Sequence, residues 1–251
     1  MNFVTYAPLA RRTLKVLPYQ QHLIHMALGL CGEVGEIIDA IKKFAIYEKG
    51  VDPSGAKDAD GKPLVVKVAD GGVIDKINLM EELGDVCWYF ACLLDDLQIH
   101  PAAVDASVAS GYAQGSAVKP KDVFETSQCL LALGMGIYGI ALTMVSRKDF
   151  KPGGKEFSDL CAALGESVGF IAGTFNLDMA QVLERNIAKL AKRYGDKYSD
   201  LAATNRDTAA ERLVLEAGDK AVADAVEQGK TNGLEVLREH AEDAAREGGA
   251  A

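Results

Sequence analysis

Two stretches decide the reading: LGLCGEVGEIIDAIKK (28–43) and INLMEELGDVCWYF (77–90). The first carries Glu33-x-x-Glu36 and the second Glu82-x-x-Asp85. On a helix, residues three apart share a face, so each stretch projects two carboxylates the same way from an otherwise apolar segment. Carboxylates three apart on a helix are commonest on a solvated surface. Here both pairs are embedded in apolar and small residues (Leu30, Val34 and Ile37; Leu83, Val86 and Trp88). Four carboxylates facing one another would repel and take up protons unless a cation joined them. Hard divalent ions such as Mg²⁺ or Mn²⁺ are held by carboxylate oxygens, and phosphate chemistry is what such sites serve. Gly32, Gly35 and Gly84 each cost helix propensity, about 1 kcal/mol relative to Ala, which predicts close approach of another helix or a ligand there.

Apolar residues recur at helical spacing in roughly 3–16, 20–46, 76–98, 122–147, 156–175 and 178–194, so the expected fold class is all-α, a helical bundle. Residues 48–75 hold a dense run of Gly, Pro and Asp around one β-prone piece, Leu64 to Val68, and read as a long loop carrying a small hairpin. Thr126 to Ser146 contains no charge, but its glycines and amphipathic neighbours favour a buried bundle helix over a membrane span. The 251 residues, 49% apolar and 25% charged, suit one large or two small domains. A net charge of −9 argues against nucleic acid as a partner. Five scattered cysteines without metal-type spacing and an N-terminus without a signal-type apolar run point to a cytoplasmic protein.

The two acidic stretches, with NIAKLAKRYGDKYS (186–199) downstream, resemble the MazG-like family of all-α nucleoside triphosphate pyrophosphohydrolases, relatives of the dimeric dUTPases. The resemblance covers about 3–98 and 177–212. It implies a hydrolase that uses Mg²⁺ (or Mn²⁺) to convert a (deoxy)nucleoside triphosphate, dNTP or NTP, to the monophosphate and pyrophosphate. Matching positions would make Glu33, Glu36, Glu82 and Asp85 the metal ligands, with Glu36 and Glu82 catalytic and Glu36 the first choice of general base. Asn186, Lys189, Arg193 and Tyr194 would face the phosphates. A dUTP pyrophosphatase of the dimeric type and a catalytically silent nucleotide-binding protein are the alternatives, and a homo-oligomer, dimer or tetramer, is expected. His22, His25 and Trp88 are base-contact candidates, against the simpler readings of satisfied histidines at a bundle edge and a core aromatic.

The segment between the two matching parts departs from the family and reads as a worn second copy. LCAALGESVGFIAGTF (160–175) aligns without a gap on LMEELGDVCWYFACLL (79–94), with Ala163 in the place of Glu82. GMGIYGIALTMVSR (134–147) aligns on 30–43, with Ile137 and Ile140 in place of Glu33 and Glu36. Such a copy keeps its packing and loses its metal. The predicted organisation is therefore an internal duplication, one active and one degenerate: 1–118 carries the carboxylates, 119–200 the basic helix, and 201–251 is a helical or partly disordered tail.

Overall fold

The computed structural model describes residues 1–47, 57, 65–67, 73–117, 138–139 and 155–227, and these are almost entirely helical. In chain order they form α1 (Phe3–Arg11), α2 (Tyr19–Tyr47), strands β1 (Val65–Lys67) and β2 (Val73–Asp75), α3 (Lys76–Leu93), α4 (Pro101–Ala117), α5 (Lys155–Thr174), α6 (Met179–Tyr194), α7 (Asp200–Thr204) and α8 (Thr208–Leu215). The all-α expectation is met. β1 and β2 pair antiparallel, Val66 opposite Ile74, as the β-prone piece predicted. The rest of the 48–72 loop, the predicted 122–147 helix apart from 138–139, and the tail beyond 227 lie outside the described residues. No helix among the described residues is long and apolar enough to cross a membrane.

α3 is the central element, packed against α1, α2 and α6. Its amino terminus is fixed by Asp75, whose Oδ1 accepts from the backbone of Ile77 and Asn78 at 2.9 and 3.0 Å. Leu79, Leu83, Val86, Cys87 and Phe90 are buried on it, and Phe90 meets Phe3 of α1 edge-to-face at 5.9 Å. The buried residues of α2 (Leu23, Met26, Leu30, Val34, Ile37, Ile41) recur at three and four spacing and turn its acidic pair toward α3.

α4 is absent from the periodicity-based expectation. Its sequence, PAAVDASVASGYAQGSA, has no apolar stripe, because it is held by backbone proximity. A Cβ on Gly111 would stand 1.9 Å from the Glu166 carbonyl oxygen of α5, and one on Gly169 would stand 2.0 Å from that of Val108. Only glycine permits so close an approach, and the α4/α5 pair depends on it.

The turn leaving α3 and the turn leaving α5 share one geometry. Gln98 (φ 54°) and Asn176 (φ 51°) are the two non-glycine residues with left-handed backbone among those described. Each is followed by an N–H that reaches back across the helix end, Ile99 to the Leu94 carbonyl at 2.9 Å and Leu177 to the Ala172 carbonyl at 2.7 Å. The following helix then starts on a side chain that accepts from the second residue beyond it, His100 Nδ1 from Ala102 and Asp178 Oδ1 from Ala180.

Candidate metal and nucleotide site

α2 and α3 bring Glu33, Glu36 and Glu82 together, with one carboxylate oxygen of each within 4.8 Å of the others. Glu82 is buried, Glu33 half-buried and Glu36 exposed. Burial, reinforced by the charges of Glu36, Asp85, Glu81 and Glu33, raises the Glu82 pKa to about 8. Burial and the charges of Asp85 and Glu36 raise that of Glu33 to about 7. Burial is the larger cause of both shifts, and the charges of Lys189 and Arg206 offset only part of that on Glu33. An all-oxygen donor set is what a hard divalent cation accepts, so the residues present fit such an ion.

Asp85 stands apart from this cluster. Its Oδ2 takes a bond from Lys189 Nζ at 2.5 Å, and its Oδ1 takes one from Asn186 Nδ2 at 2.7 Å. Lys189 also reaches Glu81 at 3.2 Å and is completely buried. Burial works to lower the Lys189 pKa, but the charges of Asp85 and Glu81 outweigh it and hold it above its usual value. Asn186 is fixed from behind by the buried Tyr6 hydroxyl, which donates to its Oδ1 at 2.7 Å. Gly84 allows this contact, since a Cβ there would lie 3.0 Å from that of Asn186. The close approach predicted at Gly84 is thus that of Asn186, while a Cβ added at Gly32 or Gly35 meets no protein atom within 4 Å among the described residues.

A pocket of about 580 Å³ opens beside the acids, with Glu33, Glu36, Glu82 and Asp85 on its wall. His25, Trp88, Tyr89, Tyr194 and Tyr198 give it an aromatic lining, and Lys15, Arg193 and Arg206 give it positive charge. Of the phosphate-facing candidates, Arg193 and Tyr194 line this space, whereas Asn186 and Lys189 face Asp85 from the packed side of α6. Of the base-contact candidates, His25 and Trp88 line it. His22, one helical turn earlier, is turned away and pairs with Asp96 at 2.8 Å. Trp88 serves both readings: its Nε1 donates to the Ala10 carbonyl at 3.0 Å and to Thr13 Oγ1 at 2.9 Å, while its ring borders the pocket. His25 Nδ1 is buried with no hydrogen-bond partner among the described residues.

Lys15, Tyr198 and Arg206 went unnoticed in the sequence. Each is an ordinary surface-type or core-type residue whose place in the pocket depends on tertiary packing.

Residues 21–101, from α2 to the first residue of α4, match the family model of the MazG nucleotide pyrophosphohydrolase domain, and this part of the chain is MazG-like. No curated protein and no solved structure matches the chain.

Proposed function

We propose that the chain hydrolyses nucleoside triphosphates to the monophosphate and pyrophosphate, with Mg²⁺ or Mn²⁺ held by Glu33, Glu36 and Glu82. The observation that carries this reading is the trio of carboxylate oxygens within 4.8 Å, set on the wall of a pocket large enough for a nucleotide. The cation supplies neutralisation of the triphosphate and activation of the attacking water. The chain supplies the rest. Glu36, the exposed member of the trio, would accept a proton from that water, and Arg193, on the pocket wall, would stabilise charge on the departing pyrophosphate. Asp85, bonded to Lys189 and Asn186 beside the trio, would add a further carboxylate to the ligand set. The unpartnered His25 nitrogen and the Trp88 ring are suited to contact the base. House-cleaning of a cytoplasmic (d)NTP pool by a homo-oligomer is the physiological setting this reaction fits.

We also read 1–118 and 119–200 as two copies of one unit, with 201–251 as a tail. The like geometry of the turns at Gln98 and Asn176 supports this: counted from those turns, Val108, Gly111 and Gly115 of α4 take the places of Asn186, Lys189 and Arg193 of α6, with the turn after α5 coming about three residues earlier than the alignment of 160–175 on 79–94 would put it. The first copy keeps the acids, the second keeps the basic helix, and each acidic-type helix packs on the other copy's following helix: α3 on α6, and α5 on α4. One composite site per chain follows.

A panel of ribo- and deoxynucleoside triphosphates, assayed for pyrophosphate release after dialysis against EDTA, tests the reading. We expect no turnover until Mg²⁺ or Mn²⁺ is returned. Undiminished turnover in excess chelator would remove the carboxylate trio from the reaction.

A further inference from the structure

Glu211, on α8, is 3% exposed and lies outside the acidic cluster. Its two oxygens hold two guanidiniums side by side: Arg193 Nε and Nη2 donate at 2.8 and 2.6 Å, and Arg206 Nη2 donates at 2.8 Å. Both arginines border the same pocket as the carboxylate trio, and Arg206, with 42% of its side chain exposed, presents itself to solvent there. Burial alone would raise the Glu211 pKa, but the two arginines draw it down to about 2, so the bridging carboxylate stays ionised at any working pH. The charge of Arg206 also acts on Glu33 across the pocket.

The segment that delivers Arg206 is anchored on three sides. The Tyr198 N–H donates to the Arg12 carbonyl at 3.2 Å, and Lys15 pairs with Asp200. Arg212 pairs with Asp75, the α3 cap, at 2.9 Å. Arg185, itself 4% exposed, grips the Leu215 and Ala217 carbonyls and the Asp219 carboxylate. A stretch of chain held in this way positions Arg206 as part of the framework.

We propose that Arg193 and Arg206, braced by Glu211, are the clamp for the pyrophosphate end of the nucleotide, which makes the segment from Asp196 to Glu216, beyond the family match, part of the active site. The inference rests on the hydrolase reading above and names the residues that grip its leaving group. Lys189 and Asn186 bond Asp85 on the packed side of α6, whereas Arg193 and Arg206 already line the pocket beside the carboxylate trio. Planar guanidiniums suit phosphate oxygens better than a single ammonium does, because each offers a fork of parallel donors. A carboxylate shared between two of them fixes their spacing, at the cost of one unit of charge. Glu211 is a positioning residue here, and Arg206 touches the ligand.

The test measures binding of inorganic pyrophosphate to the full chain in Mg²⁺ by calorimetry, and Mn²⁺ affinity by electron paramagnetic resonance. Arg206→Ala, at an exposed position, should weaken pyrophosphate binding by about tenfold or more, the loss of a charge-assisted contact, and leave Mn²⁺ affinity unchanged. KM for the triphosphate should rise more than kcat falls. Arg206→Lys should recover part of the affinity. Glu211→Gln should weaken pyrophosphate binding well below its melting temperature, which a purely structural role would not do. Unchanged pyrophosphate affinity in Arg206→Ala, or no pyrophosphate binding by the wild type, overturns the clamp. Wild-type chain that binds pyrophosphate through Arg206 yet releases none from any triphosphate leaves the clamp standing and overturns the reaction instead.

Discussion

Glu82→Gln is expected to reduce pyrophosphate release by about a hundredfold or more, the scale of a lost catalytic contact, while making the metal-free chain more stable at pH 8. The two effects have one cause. Glu82 is buried among Glu33, Glu36, Glu81 and Asp85, and burial first, with those charges, raises its pKa to about 8 against an ordinary 4.5. The native state therefore keeps protons that the unfolded chain releases. Stability conferred by that retention falls as pH rises from about 4.5 through about 8, Glu33 contributing in the same direction up to about 7. At pH 8 a neutral glutamine relieves repulsion on the order of 1–2 kcal/mol, allowing for water in the pocket, and each kcal/mol is worth about 2–4 °C in melting temperature for a chain of this size. Calorimetric melts at pH 6 and pH 8, with and without Mg²⁺, check this. The wild type should lose stability between the two pH values and regain it on adding metal, and the variant should respond weakly to both. Equal melting of wild type and variant at pH 8 would mean that these acids are not in mutual repulsion.

Lys189→Met is expected to cause the largest loss of stability of any single change at the site, about 3–5 kcal/mol, the usual cost of stranding the partners of a buried ion pair. Its ammonium is completely enclosed and bonded to both Asp85 and Glu81. Removing it adds two uncompensated carboxylates to a region that already holds three. Methionine preserves the volume, so the deficit is electrostatic, and Mg²⁺ should recover part of it by taking over Asp85. Chemical denaturation with and without Mg²⁺ reads both quantities. A variant as stable as the wild type would show that Lys189 is not the counter-ion of α3, and one that loses only substrate affinity would return it to the role of phosphate contact.

What could be read in the sequence divides along the range of the interactions. Glu33, Glu36 and Glu82 were legible because their grouping is half local: helical spacing sets the face, and flanking apolar residues show that the face turns inward. The helices of the acidic pairs and α6 follow for the same reason. α4 escaped because its packing code is glycine against backbone, which leaves no hydrophobic period. Lys189 was legible as a cation beside the site, but its commitment to Asp85, 104 positions away, was not. Nor was the bridge from Glu211 to Arg193 and Arg206, since a glutamate in an Ala/Arg-rich helix has the pattern of a solvated residue. His22 and His25 read alike in sequence, and only the position of Asp96, in the turn after α3, separates them. Gly84 was correctly read as a site of close approach, while Gly32 and Gly35 carry the same residue type on an open face.

The central claim is that this chain cuts a nucleoside triphosphate so that the two terminal phosphates leave together, and the identity of the products tests it most directly. Phosphorus-31 nuclear magnetic resonance of a reaction with an accepted triphosphate in Mg²⁺ should show nucleoside monophosphate and intact pyrophosphate appearing in equal amounts from the first time point. Nucleoside diphosphate with orthophosphate as the first products would contradict the account.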